Sequence, residues 1–164
     1  MDPVNTKKAE RRAVGYPTLA DVSADLDAIQ SAHDAGTLRS SGNWTPGEIF
    51  DHTAIFMRCA LDGFPSKAPA PIRWIAKLLW KKKAIAGGVP PAGFKLPKGA
   101  AYLLPREGVS FEDGMSALRE QLARVEGGER FSHPSALFGE LTHDQWMLLQ
   151  LGHFTLHLSF LHPE

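Results

Sequence analysis

Three histidines of this 164-residue chain have the types and spacing that could do chemistry. His153 and His157 are four residues apart in a segment of helical periodicity, so their rings project from one helix face. Such a pair can hold one metal ion through two imidazole nitrogens. His52 lies on the apolar stripe of another predicted helix and could supply a third nitrogen. The spacing therefore makes His153 and His157 candidate ligands of one divalent ion, which His52 could join if the two helices are neighbours.

An ordinary core role for these histidines is the alternative interpretation. A single histidine on an apolar helix face is more often a hydrogen-bonded core residue than a metal ligand. Two imidazoles on one apolar face need partners, because burying unpaired polar groups is costly, and one ion would satisfy both. Phe154 follows His153, so the glutamate base of an HExxH motif is absent. Cys59, two helical turns from His52, is predicted to be a small buried residue rather than a further ligand.

The composition argues against several other classes of protein. Eighteen basic and 18 acidic side chains balance, so no overall positive field favours nucleic acid. A single cysteine excludes an internal disulfide framework, and glycine-rich phosphate loops and the hydrolase nucleophile elbow are absent. No apolar run reaches the roughly 18–20 residues of a membrane span, and no apolar stretch of a secretory signal follows Arg11 and Arg12. We therefore expect a cytoplasmic protein with no nucleic-acid partner and no membrane span.

Four helices must position the histidines, and each predicted helix begins at a capping-box pattern. In this pattern a Ser or Thr is followed three residues later by an acidic residue or Gln. The four cap residues are Thr18, Thr45, Ser110 and Thr142. The helical stripes run from Leu19 to Ala35, from Pro46 to Gly63, from Phe111 to Val125 and from Trp146 to Phe160. The prediction is an all-α four-helix bundle in a single domain over residues 1–164, with a polar arm at 1–16.

A long crossover, residues 64–109, joins the second and third helices and holds seven of the twelve prolines. Within it, Pro71–Ile85 is predicted to form a short extra amphipathic helix that covers the bundle. The apolar side of this helix should face the bundle and its lysines should face water: Ile72, Ile75, Leu78 and Leu79 on the first side, Lys81, Lys82 and Lys83 on the second. Contact of this basic, Trp-containing stretch with anionic lipid or nucleic acid is the alternative.

The ordered motifs of the chain resemble those of the DinB/YfiT-like superfamily of bacterial metal-dependent proteins, in a branch labelled a domain of unknown function. The motifs are Asn43-Trp44-Thr45-Pro46-Gly47-Glu48-Ile49 leading to His52, then His133-Pro134, Phe138-Gly139, Leu141-Thr142 and Trp146, then His153 to Leu161. The likeness extends from about Asn5 to the end of the chain. It implies a four-helix bundle with a long crossover between helices two and three. It also implies a metal site with one histidine on the second helix and two on the fourth, here His52, His153 and His157.

The resemblance also suggests a reaction, because better-known relatives are thiol S-transferases that use bacillithiol, mycothiol or glutathione, and one is a maleylpyruvate isomerase. Three neutral imidazoles leave a coordination position open, as in catalytic sites. Zinc is the first choice of metal, with nickel, iron or manganese as alternatives. We expect thiol transfer to a small-molecule electrophile. The alternatives are a metal-dependent hydrolase and a non-enzymatic metal- or ligand-binding stress-response module. The protein could also form a homodimer. Gln150 and Glu48, each about one turn before a ligand, are candidates to orient the rings.

Overall fold

Most of the chain is helical in the computed structural model, which describes residues 3–93, 96 and 98–164. Residues 1, 2, 94, 95 and 97, which fall in the predicted arm and crossover, lie outside the described residues. The elements are α1 (Leu19–Asp34), β1 (Arg39–Ser40), α2 (Pro46–Asp62), α3 (Ala70–Leu79), α4 (Lys81–Ala84), a kinked 3₁₀ segment (Lys98–Leu103), α5 (Phe111–Glu126), α6 (His143–Leu158) and β2 (Leu161–His162). None of the described helices has both the length and the apolar character needed to cross a membrane.

The four longest helices begin at the predicted caps. At Thr18, Thr45 and Thr142 the hydroxyl accepts the backbone N–H three residues later, and that residue's side chain accepts the cap's own N–H. Both bonds satisfy backbone donors that a helix start otherwise leaves unpaired. At Ser110 the hydroxyl accepts the N–H of Asp113, which is one half of the predicted box. Local sequence therefore sets the start of each of these helices.

The closest helix packing in the described chain is between α2 and α5, where a glycine on each helix faces backbone that belongs to the other helix or leads into it. A Cβ atom at Gly114 would lie 2.9 Å from the Cα atom of Gly47, and a Cβ atom at Gly47 would lie 2.6 Å from the carbonyl oxygen of Val109. Helix α2 also contacts α6, and α1 contacts both α5 and α6. The largest fully buried side chains lie among these helices and beside them: Trp146, Phe50, Phe154, Leu26, Ile29, Ile49, Met57, Leu118, Leu158, Leu161, Gln150 and Val22.

The described part of the polar arm is docked on the helices. The guanidinium of Arg12 donates two hydrogen bonds of 2.8 Å to the carboxylate of Asp25, and the backbone N–H of Arg12 donates to the carbonyl of Ser159. The hydroxyl of Tyr16 donates to the same carboxylate. Strands β1 and β2 form one antiparallel pair of two residues each, which is too short to leave an alternating pattern in the sequence.

The predicted covering helix differs from the structure in two respects. The span Pro71–Ile85 is divided into α3 and α4, because Trp80 departs from helical backbone angles with φ −121° and ψ −23°. The orientation was wrong: Ile72, Ile75, Leu78 and Leu79 are exposed rather than packed on the bundle. Lys81 is half-buried rather than in water, because its ammonium group donates to the carbonyls of Phe138 and Glu140. Lys82 and Lys83 are exposed, as predicted.

Candidate metal centre

The structure brings the three predicted histidines together where α2 contacts α6. His52 lies in the middle of α2, and His153 and His157 lie one turn apart near the end of α6. Each residue offers one ring nitrogen, and these three atoms all lie within 4.8 Å of one another. The Nε2 atoms of His52 and His153 are 3.2 Å apart. The three rings therefore converge on one point that could hold a metal ion.

The ring of His52 is oriented by a backbone carbonyl. Its Nδ1 atom is 2.6 Å from the carbonyl oxygen of Leu103, the last residue of the 3₁₀ segment. Because a carbonyl oxygen can only accept, Nδ1 carries the hydrogen and donates it. The Nε2 atom that faces His153 therefore carries a lone pair, which can accept a hydrogen bond from that ring or bind a metal ion. Fixing the tautomer through the other ring nitrogen is the usual way in which a protein prepares a histidine to bind a metal.

A turn that follows Leu103 holds this carbonyl in place. Asp51, which precedes His52 on α2 and is buried, accepts three hydrogen bonds from Arg106. One comes from the backbone N–H of Arg106 at 2.8 Å, and two come from its guanidinium at 3.0 and 2.7 Å. The Asp51–Arg106 pair thus ties the chain after the 3₁₀ segment to α2, three residues beyond the carbonyl that His52 uses.

Two aromatic side chains form apolar walls around the histidine cluster. The ring centroid of Trp44 lies 4.8 Å from that of His52 and 5.6 Å from that of His157, and it is stacked on the latter. The ring centroid of Phe56 lies 4.5 Å from that of His153. His153 and His157 keep partial surface exposure, whereas His52 is buried. The site is therefore largely apolar but not sealed from solvent.

The surroundings keep all three imidazoles neutral near neutral pH. Burial lowers the pKa of His153 and of His157 well below the ordinary value, and neighbouring histidines add to this effect. Burial also lowers the pKa of His52, and the hydrogen bond to Leu103 opposes that shift. Neutral imidazole is the form that ligates a metal. The electrostatics of the cluster therefore suit a cation bound by nitrogen lone pairs.

The donor set fits a divalent transition metal with an open coordination position. Three neutral imidazoles are suitable ligands for zinc, nickel or iron. Across the part of the chain that the structure describes, no fourth His, Cys, Asp or Glu joins the cluster. The Nδ1 atom of His153 is buried without a hydrogen-bond partner, and its Nε2 atom is within hydrogen-bond distance of another histidine, His52.

Cys59 lies outside the cluster, and neither of the two suggested ring-orienting residues, Gln150 and Glu48, has a hydrogen bond to one of its rings. Cys59 is buried against Ile55 and Leu103 and is not part of the cluster, as predicted, and burial raises the pKa of its thiol. Glu48 accepts the backbone N–H of Thr45 and so serves as a helix cap. Gln150 is fully buried, and both polar atoms of its amide lack a hydrogen-bond partner.

Sequence reasoning missed the residues that orient and enclose the cluster. The carbonyl of Leu103 has no side-chain signature, so no pattern could have pointed to it. Trp44 lies in the motif Asn43-Trp44-Thr45 ahead of α2, and an aromatic residue immediately before a helix cap was the available signal. Phe56, one turn after His52, was recognised only as part of an apolar stripe.

Comparison with known proteins identifies a family without identifying a reaction. No curated protein and no solved structure matches the chain. A family model described as a protein of unknown function, DUF1569, matches residues 8–164. The match covers nearly the whole chain, including all three clustered histidines, and the protein therefore belongs to the DUF1569 family.

Proposed function

We propose that this protein is a metal-dependent enzyme of the DinB/YfiT-like type that joins a low-molecular-weight thiol to a small electrophile: the thiol loses its proton, its sulfur forms a bond to carbon, and the leaving group of the electrophile departs. In this proposal α1, α2, α5 and α6 form the four-helix bundle and residues 64–109 form its crossover. His52, His153 and His157 hold one divalent ion, with zinc as the first choice. The function rests on the site and not on the fold, since one fold supports many reactions.

A single observation carries the proposal. Three histidine ring nitrogens lie within 4.8 Å of one another, and no fourth His, Cys, Asp or Glu among the described residues completes the set. A structural zinc site is closed by four protein ligands, whereas a catalytic site keeps one position for a small molecule. The partial exposure of His153 and His157 supports access of such a molecule to the cluster.

The residues around the cluster have distinct parts in this chemistry. When bound, the ion would supply a Lewis acid that favours the deprotonated form of a thiol or of water. The carbonyl of Leu103 holds His52 in the tautomer that presents Nε2. Trp44 and Phe56 line the site with apolar rings, which suit the carbon portion of an electrophile and limit competing water.

A turnover assay with matched histidine variants tests the reaction. Zinc-reconstituted protein is mixed with glutathione, bacillithiol or mycothiol and an electrophilic bimane, and the rate of thiol consumption is measured. We expect wild type to accelerate the reaction with at least one thiol and His157→Ala to lose the acceleration. His143→Ala is the control, because His143 lies on the same helix but outside the cluster.

Two other outcomes would replace the proposed reaction. Zinc-dependent turnover of an ester or amide without any thiol would assign hydrolysis instead. Stoichiometric zinc binding with no turnover of either substrate class would favour the non-enzymatic binding module. Both outcomes would keep the metal site and contradict thiol transfer.

A further inference from the structure

An apolar stripe on α3 is exposed to solvent. Trp74, Leu78 and Leu79 have exposed fractions of 69%, 68% and 62%, and Ile75 has 45%. Positions 74, 75, 78 and 79 recur at the helical spacing of one face. In an amphipathic helix of a folded domain this face normally covers the core. Here it points away from the protein over a helix of ten residues.

The opposite side of the same segment is fixed to the protein, so the exposure follows from how α3 is anchored. Ala76 on α3 is fully buried. Lys77 packs against Gly139. If Gly139 had a Cβ atom, that atom would lie 3.2 Å from the ammonium nitrogen of Lys77. Just beyond α3, Lys81 donates to the carbonyls of Phe138 and Glu140. The charged side of α3 is thus held on the 138–140 turn, and the apolar side is held outward.

The charge around the stripe is of one sign. Residues 63–106 contain nine Lys and Arg residues and no Asp or Glu. The rest of the chain therefore carries nine basic and 18 acidic residues. Although the net charge is zero, positive charge is concentrated in residues 63–106 and negative charge lies outside them. Lys82 and Lys83 are exposed immediately after α3. A partner that covers the stripe must tolerate, or be attracted by, this positive charge.

We propose that α3 is a membrane-surface helix, which inserts Trp74, Ile75, Leu78 and Leu79 into the headgroup region of an anionic bilayer. A short helix with Trp and Leu on one face and lysines beside it suits binding in the plane of the interface. Positive side chains near the surface add attraction to anionic lipids. This proposal concerns a surface distinct from the histidine cluster and does not depend on the proposed reaction.

Charge and side-chain chemistry favour a bilayer over two other partners. Two-fold pairing of the stripe with a second copy would bring together two surfaces of the same charge sign, with no carboxylate in residues 63–106 to neutralise them. Single-stranded nucleic acid would stack on Trp74, but it gives the aliphatic side chains of Leu78 and Leu79 no comparable contact. Acyl chains and anionic headgroups match both parts of the surface.

Vesicle co-sedimentation of the full chain tests the proposal. The vesicles contain phosphatidylcholine alone or phosphatidylcholine with phosphatidylserine, and the partition coefficient is measured. We expect binding to the anionic vesicles, reduced about tenfold or more in Trp74→Ser/Leu78→Ser because two largely exposed apolar side chains are lost. Lys82→Glu/Lys83→Glu should weaken binding by at least roughly fivefold for each lysine replaced, because each substitution removes a positive charge and adds a negative one.

Matched variants distinguish binding through this surface from non-specific hydrophobic or electrostatic binding elsewhere on the protein. Leu104→Ser removes an exposed leucine outside α3, with an exposed fraction of 47%, and should bind as wild type does. Lys7→Glu/Lys8→Glu makes the same charge change on the exposed arm and should also keep most of the binding. All these side chains are at the surface, so the far-UV circular dichroism spectra should match that of wild type.

Several results would overturn the proposal. These are no binding to the anionic vesicles, equal binding to neutral and anionic vesicles, and equal loss of binding in the α3 variants and their controls. Retention of a single-stranded oligonucleotide without vesicle binding would assign the surface to nucleic acid. A dimer in sedimentation velocity that dissociates in Trp74→Ser/Leu78→Ser would assign it to a second copy.

Discussion

Replacing Gly114 by Ala should destabilise the protein, although alanine is the better helix former. Gly114 lies in the first turns of α5, where the backbone of α2 passes directly over it. A Cβ atom would lie 2.9 Å from the Cα atom of Gly47 and would overlap the Gly47 carbonyl oxygen more severely. The atoms nearest to this Cβ position are all backbone atoms of Gly47, so no side-chain rotation can relieve the overlap.

The size of the effect follows from that distance. Carbon atoms in good contact are about 3.5–4.0 Å apart, so α2 and α5 must separate by roughly 0.6–1.1 Å. Overpacking of this kind costs about 1–3 kcal/mol, and occasionally more. Because the overlap is with backbone, the cost should lie in the upper part of this range, at about 2–3 kcal/mol. The higher helix propensity of alanine returns up to about 1 kcal/mol. After that return, we expect Gly114→Ala to lower the free energy of unfolding by about 1–2 kcal/mol, or Tm by about 2–8 °C.

Urea denaturation and thermal melts of Gly114→Ala and Gly15→Ala provide the check. Gly15 has no atom within 4 Å of the place that its Cβ would occupy, and its φ is not positive. Gly15→Ala should therefore be neutral, or should stabilise the fold by about 0.4–1 kcal/mol because alanine lowers the conformational entropy of the unfolded chain. If Gly114→Ala proved as stable as wild type, the close approach of α2 and α5 would be wrong.

Three further predictions concern the histidine cluster and its surroundings. In metal-free protein the free energy of unfolding should fall as pH drops below about 6.5, because burial lowers the histidine pKa values and the unfolded chain then binds more protons. The loss can reach about 1.4 kcal/mol per pH unit for each histidine, and urea titrations should show a smaller slope in His153→Ala. Arg106→Ala should destabilise the fold by about 1.5–3 kcal/mol, because Asp51 loses its guanidinium partner. The same change should loosen Leu103, whose carbonyl orients His52, so isothermal titration should show zinc affinity weakened about tenfold. Gln150→Met should stabilise metal-free protein by about 1–3 kcal/mol in urea denaturation, because it removes two buried amide atoms that have no partner.

Helix starts were predictable from the sequence because capping is a local interaction. Thr18, Thr45 and Thr142 each bond to a residue three positions away, so the signal and the structure occupy the same short segment. The convergence of His153 with His157 was predictable for the same reason, since four residues make one turn. That His52 would join them required α2 to contact α6, which the resemblance implied and spacing alone did not.

The orientation of α3 could not be read from periodicity. Helical spacing shows that Ile75, Leu78 and Leu79 share a face, but it does not show which face meets the protein. The outcome depends on carbonyl groups of the distant 138–140 turn, which hold Lys81 and thereby turn the apolar face outward. The role of Leu103 could not be predicted from the sequence for a related reason. Every residue has a backbone carbonyl, so the residue type gives no sign of which carbonyl accepts the hydrogen bond of His52.

Metal content per chain is the most direct test of the proposed centre. Wild type, His153→Ala and His143→Ala are reconstituted with zinc, freed of excess ion by gel filtration and measured by inductively coupled plasma mass spectrometry. We expect one zinc per chain in wild type and in His143→Ala, and a large loss of zinc in His153→Ala with helical content unchanged. Equal zinc in all three proteins would mean that His153 is an ordinary core residue and that the three-histidine metal centre is wrong.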